Sequence, residues 1–239
     1  MSRPSPDQPA AGGVPHPHTP AAVPNLVTLG RIVLAYVTLV LFQSSFPLRV
    51  IALALMLFVI YLDSLDGYLA RKLGVASDFG ALFDITGDRI VEHVYWIFYA
   101  FMGLTSFWVP VIFISRSFLV DTLRSVAHAK GGRTPFGEKS MMRSPVTRFL
   151  TASRFSRGTY GVGKAVAFAL LGVFLVYEVQ GTPLHRWVTA SFMGEVRLVT
   201  TVIVWLVVAM NLIRGMPVLV DGRVYLFDKY YAKEVRNEG

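Results

Sequence analysis

Four aspartates, an arginine and small residues stand in a fixed pattern between residues 63 and 88: Asp63, Asp66, Gly67, Ala70 and Arg71, then Gly80, Asp84 and Asp88. On a helix, Asp63, Asp66, Gly67 and Ala70 fall at i, i+3, i+4 and i+7 and share one face. Asp84 and Asp88 do the same on a second helix. The connection 71–79 is short enough to bring both groups together. Unit charges about 5 Å apart repel by about 3 kcal/mol at an effective dielectric near 20, so four converging carboxylates need cations among them. All-oxygen ligands select a hard ion, Mg²⁺ or Mn²⁺, over zinc. Mg²⁺ held by few carboxylates fills its shell with substrate phosphates, so the pattern suits two metals gripping a diphosphate. Gly67 and Ala70 leave room for a bulky group, Gly80 does so across the gap, and Arg71 offers charge to a phosphate. Val59, Ile60, Leu62, Leu65 and Leu69 read as the opposite face, for packing or lipid. A lone Asp–Arg pair would be a cap or a surface ion pair; four aspartates in register exceed that.

The helices that carry them lie in an apolar chain. Of 239 residues, 54% are hydrophobic and 16% charged, with mean hydropathy +0.52. Soluble domains carry about 25% charged residues. Six apolar runs, at 26–43, 49–70, 80–103, 107–128, 160–179 and 196–214, are each near the roughly 20 residues that cross a bilayer. The expected fold is therefore all-α and integral to the membrane, a six-transmembrane-helix bundle. Residues 25–216 would form it, residues 1–24, with seven of the thirteen prolines, a disordered tail, and 217–239 a C-terminal tail. His16 and His18 read as part of that solvated tail. No cysteine is present, which excludes disulfides and thiolate metal sites.

Basic residues set the orientation. The connection between the fourth and fifth runs carries Lys130, Arg133, Lys139, Arg143, Arg148, Arg154 and Arg157 against Glu138, and Arg71, Lys72, Arg214, Arg223, Lys229, Lys233 and Arg236 lie on the same side. The other side has Arg49, Arg186 and Arg197. The positive-inside rule then puts both termini, and a site at the ends of spans 2 and 3, on the cytoplasmic face of the cytoplasmic membrane. The net charge of +8 is this loop bias, which favours anionic lipid over nucleic acid. Within 131–157, Phe149 and Phe155 interleave with arginines, as in a solvated basic loop or a helix on anionic lipid.

The string Asp-x-x-Asp-Gly-x-x-Ala-Arg-x8-Gly-x3-Asp-x3-Asp, filled from Asp63 to Asp88, resembles the CDP-alcohol phosphatidyltransferase signature at every position. Pro24, Asn25, Thr28 and Arg31 look like the opening of the first span in that family. The resemblance implies a six-helix enzyme, usually dimeric, that displaces CMP from a CDP-linked lipid with an alcohol. It implies Asp63, Asp66 and Asp84 as metal ligands, and Asp88 as ligand or as the catalytic base. Asn25, Thr28, Asp63, Asp66, Gly67, Ala70, Arg71, Asp78 and Gly80 would surround the CDP moiety.

Two further features bear on the acceptor. Arg116, Asp121 and Arg124 lie in the fourth apolar run; Asp121 and Arg124 can neutralise each other at i and i+3, which leaves Arg116 in need of an anion. Lys164 follows Gly161-Val162-Gly163 at the start of the fifth, where backbone amides and a cation suit an anion. Arg116, Arg124 and Lys164 thus suggest an acceptor that carries phosphate, and these elements resemble phosphatidylglycerophosphate synthases, which use sn-glycerol 3-phosphate. Arg89 is reminiscent of members that use inositol phosphate, and serine or another alcohol stays open. An ion transporter, the other class that buries carboxylates, places them near the midplane between repeats; here no repeat is visible.

Overall fold

The computed structural model describes residues 22–73, 78–131, 145–179 and 188–223. Among the described residues there are helices and no strands. They are α1 (Ala22–Phe42), α2 (Phe46–Leu73), α3 (Asp78–Phe101), α4 (Trp108–Gly131), the short α5 (Pro145–Ala152), α6 (Arg154–Tyr177) and α7 (Ala190–Gly222). Each of the six expected apolar runs falls on one of the six long helices. Four stretches are long and apolar enough to cross a membrane: Asn25–Phe42, Phe46–Asp63, Phe149–Tyr177 and Ala190–Gly222. Charge separates α3 and α4 from these four, since each carries a row of ionisable residues along an otherwise apolar helix.

Helix α1 packs against α2 and α3, α2 against α6, α6 against α7, and α4 against α3 and α7. Aromatic rings fill the centre. Trp96 lies 4.7 Å from Phe168 and 4.9 Å from Phe113, and Tyr95 lies 5.5 Å from Phe168. The buried phenols are partnered, as apolar surroundings demand. Tyr99 donates to the Phe168 carbonyl at 3.1 Å, and Tyr95 lies 3.0 Å from the Thr38 hydroxyl. At one end of the bundle, Arg49 donates to the carbonyls of Ser44 (3.0 Å) and Leu175 (2.6 Å), which ties the ends of α1 and α6 to the start of α2.

Several boundaries differ from the sequence expectation: α1 begins at Ala22, within the stretch 1–24 expected as a disordered tail, and the last long helix begins at Ala190 instead of 196. The stretch before the fifth run holds a separate helix, α5, because Ser153 turns the chain out of helix and caps α6, accepting from the Ser156 amide at 3.0 Å. Helix α7 continues beyond 214 and through Pro217 to Gly222. A proline removes one helical hydrogen bond, yet Pro217 and Val218 are buried and hold the last turns to the bundle. The second hydrophobic cluster, Val120, Leu123 and Ala127 of α4 with Val218, lies there.

Candidate active site

Arg31 organises the site. It is 1% exposed on α1, and its guanidinium is hydrogen-bonded to Asp63 of α2 and to Asp88 of α3, with Asp84 at 3.6 Å. Three of the four aspartates of the pattern therefore converge as expected, around a cation that the chain itself supplies. Their carboxylates stay open, at 52%, 41% and 42% exposed for Asp63, Asp84 and Asp88. The close approach of α1 to α3 depends on Gly87: a Cβ there would lie 2.5 Å from Thr28 Cγ2 and 3.5 Å from Arg31 Nη2. Thr28 is buried in this contact, Asn25 half-buried at the start of α1, and Gly80 half-buried at the start of α3. Asp66, Gly67, Ala70 and Arg71 lie on the last turns of α2 and Asp78 opens α3, but their side chains fall outside the described residues.

A cavity of about 610 Å³ opens beside this cluster. Arg31, Asp63 and Asp88 form its acidic end, and Arg89, Glu92, Arg124 and Lys164 form another wall, with Gly158, Gly161 and Val162 of α6 beside Lys164. Because α6 starts at Arg154, these glycines lie inside the helix and not at its start, so Lys164 and not free backbone amides supplies the positive charge there. Val59 and Ile60 line it too, so they share the face of Asp63 instead of the opposite one; positions three and four residues back lie directly beneath a helical residue. The basic wall is internally braced. Arg89 donates to Asp121 through Nε at 2.9 Å and to Glu92 through Nη1 at 3.3 Å, Arg124 donates to Asp121 at 3.4 Å, and Lys164 pairs with Glu92 at 3.2 Å. Among the described residues of this wall, three cations stand against two carboxylates.

The expected phosphate residues are thus divided. Arg124 and Lys164 line the cavity; Arg116 does not. It lies across Gly215 of α7, where a Cβ would come within 2.7 Å of Arg116 Nε, and that nitrogen has no hydrogen-bond partner among the described residues. Asp121 braces Arg89 as well as Arg124. Glu92 went unread in the sequence. Its signal was available: Asp84, Asp88 and Glu92 are a row at i, i+4 and i+8 in an apolar helix.

The donors fit a hard divalent cation. They are carboxylate oxygens, and Asp84 Oδ1 is buried without a hydrogen-bond partner among the described residues. No group of three His, Cys, Asp or Glu among those residues is already arranged about one metal position, and Arg31 holds the space where three of the carboxylates meet.

A model of the family described as CDP-alcohol phosphatidyltransferase matches residues 21–213. The chain belongs to this family. Curated relatives agree with the match. Over 123 residues the chain is 31% identical to the CDP-diacylglycerol--glycerol-3-phosphate 3-phosphatidyltransferase of Bacillus subtilis, covering 46% of this chain and 63% of the relative. A probable phosphatidylglycerophosphate synthase of Mycobacterium tuberculosis is 31% identical over 128 residues, covering 52% and 61%. The chain therefore spans under two thirds of the length of the curated relatives it matches. In this CDP-alcohol phosphatidyltransferase, the matched region runs from the start of α1 into α7 and contains the aspartate pattern, the cavity and its basic wall.

Proposed function

We propose that the protein transfers a phosphatidyl group from CDP-diacylglycerol to sn-glycerol 3-phosphate and releases CMP. The observation that carries this reading is the polarity of one cavity, with open aspartates at one end and a wall of three cations against two carboxylates beside it. Asp63, Asp66, Asp84 and Asp88 would hold Mg²⁺ or Mn²⁺. Bound there, the divalent ion would neutralise the diphosphate and the departing CMP. Gly67, Ala70, Arg71, Asp78 and Gly80, with Asn25 and Thr28, would seat the cytidine and diphosphate. Asp88 would accept the proton of the acceptor hydroxyl, whose oxygen then attacks the phosphatidyl phosphorus as CMP leaves. Arg89, Arg124 and Lys164 would receive the acceptor's own phosphate, since planar guanidiniums and an ammonium recognise it through charge-assisted hydrogen bonds. Positioning and electrostatics then supply most of the catalysis.

The same reading takes α1–α4, α6 and α7 as six membrane spans with the site at the cytoplasmic ends of α2 and α3, and the working unit as a homodimer in the cytoplasmic membrane. The test is CMP release from CDP-diacylglycerol by purified protein with Mg²⁺ or Mn²⁺. Glycerol 3-phosphate, inositol phosphate, serine and phosphatidylglycerol are offered in turn. Release that requires glycerol 3-phosphate supports the assignment. Release driven best by serine or phosphatidylglycerol moves the enzyme to another branch of the family.

A further inference from the structure

Glu92 is 4% exposed, yet three side chains converge on its carboxylate: Arg89 Nη1 at 3.3 Å, Lys164 Nζ at 3.2 Å and the Tyr160 hydroxyl at 3.0 Å. Burying an ion pair costs about as much desolvation as the attraction returns, so such a carboxylate is weak evidence for stability and points to another role. Its own support is buried as well. Tyr160 Oη also lies 3.2 Å from the amide of Asn211, which is 2% exposed on α7. A phenol has one proton, and the ionised carboxylate is the stronger acceptor. Asn211 Oδ1 is thus a second, weaker acceptor beside that hydroxyl and ties Tyr160 to α7. The ring of Tyr160 lies 5.2 Å beneath the Lys164 ammonium, a second hold on the same cation. Lysine on its own would place its charge loosely, at the end of a flexible four-carbon stem.

We infer that Glu92 is a positioning residue of the acceptor pocket. Held by Tyr160, it fixes Lys164 and Arg89 at the cavity wall before the substrate arrives, so an incoming phosphate meets cations already placed. Glu92 touches no reacting atom in this role and acts through the two cations. The inference rests on the reading above that the acceptor carries a phosphate.

The experiment measures CMP release at saturating CDP-diacylglycerol while glycerol 3-phosphate is varied, for wild type, Glu92→Gln, Lys164→Gln and the double variant. Glu92→Gln is expected to raise the acceptor KM about tenfold to a hundredfold, the range of one lost charge-assisted hydrogen bond, with the KM for CDP-diacylglycerol unchanged. The double variant is expected to lose less than the product of the two single losses, because Glu92 works in part through Lys164 and in part through Arg89. A fall in acceptor KM would mean that Glu92 merely competes with the phosphate and would overturn the inference. So would equal rises for both substrates, or losses that multiply in the double variant. If Glu92→Gln does not accumulate, Tyr160→Phe removes one hold on the carboxylate while keeping the ring. A rise of acceptor KM alone supports the role and an unchanged KM overturns it. If wild type saturates with inositol phosphate instead, the glycerol 3-phosphate assignment fails while the same comparison, made with that acceptor, decides Glu92. Saturation only with an unphosphorylated alcohol overturns both.

Discussion

Asp63, Asp84 and Asp88 share one arginine, and three carboxylates on one guanidinium leave an excess of negative charge that a divalent ion would complete. Activity should therefore disappear with EDTA and return with Mg²⁺ or Mn²⁺. Asp63→Ala and Asp84→Ala should each lose most turnover while the purified protein keeps its helical circular dichroism. Metal-independent CMP release by either variant would remove the basis for a metal site. Lys164 and Arg116 separate at the same scale, although both are cations in apolar helices. Lys164→Gln should raise the acceptor KM about tenfold or more, because the ammonium lines the cavity. Arg116→Gln should lower the melting temperature and leave both KM values unchanged, since its side chain lies over Gly215. An acceptor KM that rises equally in the two variants would put Arg116 back in the pocket.

The contact between α1 and α3 is the element on which the site's geometry depends. At Gly87, alanine would improve helix propensity by about 1 kcal/mol, but its Cβ would strike the buried, β-branched Thr28, which has little freedom to turn aside. Overpacking of this kind costs about 1–3 kcal/mol, so Gly87→Ala should lower the melting temperature and reduce activity by shifting Arg31 away from Asp88. Gly172 is the comparison. Its added Cβ would meet Leu53 Cδ1 at 2.8 Å and Met56 Cε at 3.2 Å, the ends of side chains that can move. Gly172→Ala should be nearly neutral by the same melting assay.

These elements also show what the sequence could and could not convey. Helical spacing was enough to place Asp84 and Asp88 on one face, because that follows from periodicity along a single helix. That Arg31 would sit among the carboxylates was invisible, since it depends on how α1 crosses α3. The same is true of Arg116. Its charge in an apolar run was legible, but which neighbour it meets was decided by Gly215, far along the chain in α7. Glu92 was overlooked because the motif ends at Asp88, while its helical register continues.

Across the whole molecule, the described surface is rich in large apolar side chains, among them Leu29, Val33 and Val40 on α1, Phe118 and Leu119 on α4, and Leu198, Val202 and Leu206 on α7. Such a surface suits lipid on most sides of the bundle. The lack of cysteine makes orientation directly measurable. A cysteine introduced at Arg157, on the basic side, should be shielded from an impermeant maleimide in intact cells. One introduced at Arg197 should react. The reverse pattern would invert the topology and put the site outside.

The cluster around Arg31 has a consequence for how the protein is made. Residue 31 emerges from the ribosome before residues 63, 84 and 88, so the counter-ion is in place before each charge it must neutralise. Unpaired carboxylates among apolar helices are costly, and α1 brings their partner as α2 and α3 pack against it, with every member of the cluster within the first three helices. Glu92 follows a different schedule. Arg89 can pair with it at once, one turn away on the same helix, whereas Lys164 and Tyr160 come only with α6. The acidic end of the cavity can thus settle during synthesis, and the basic wall closes last.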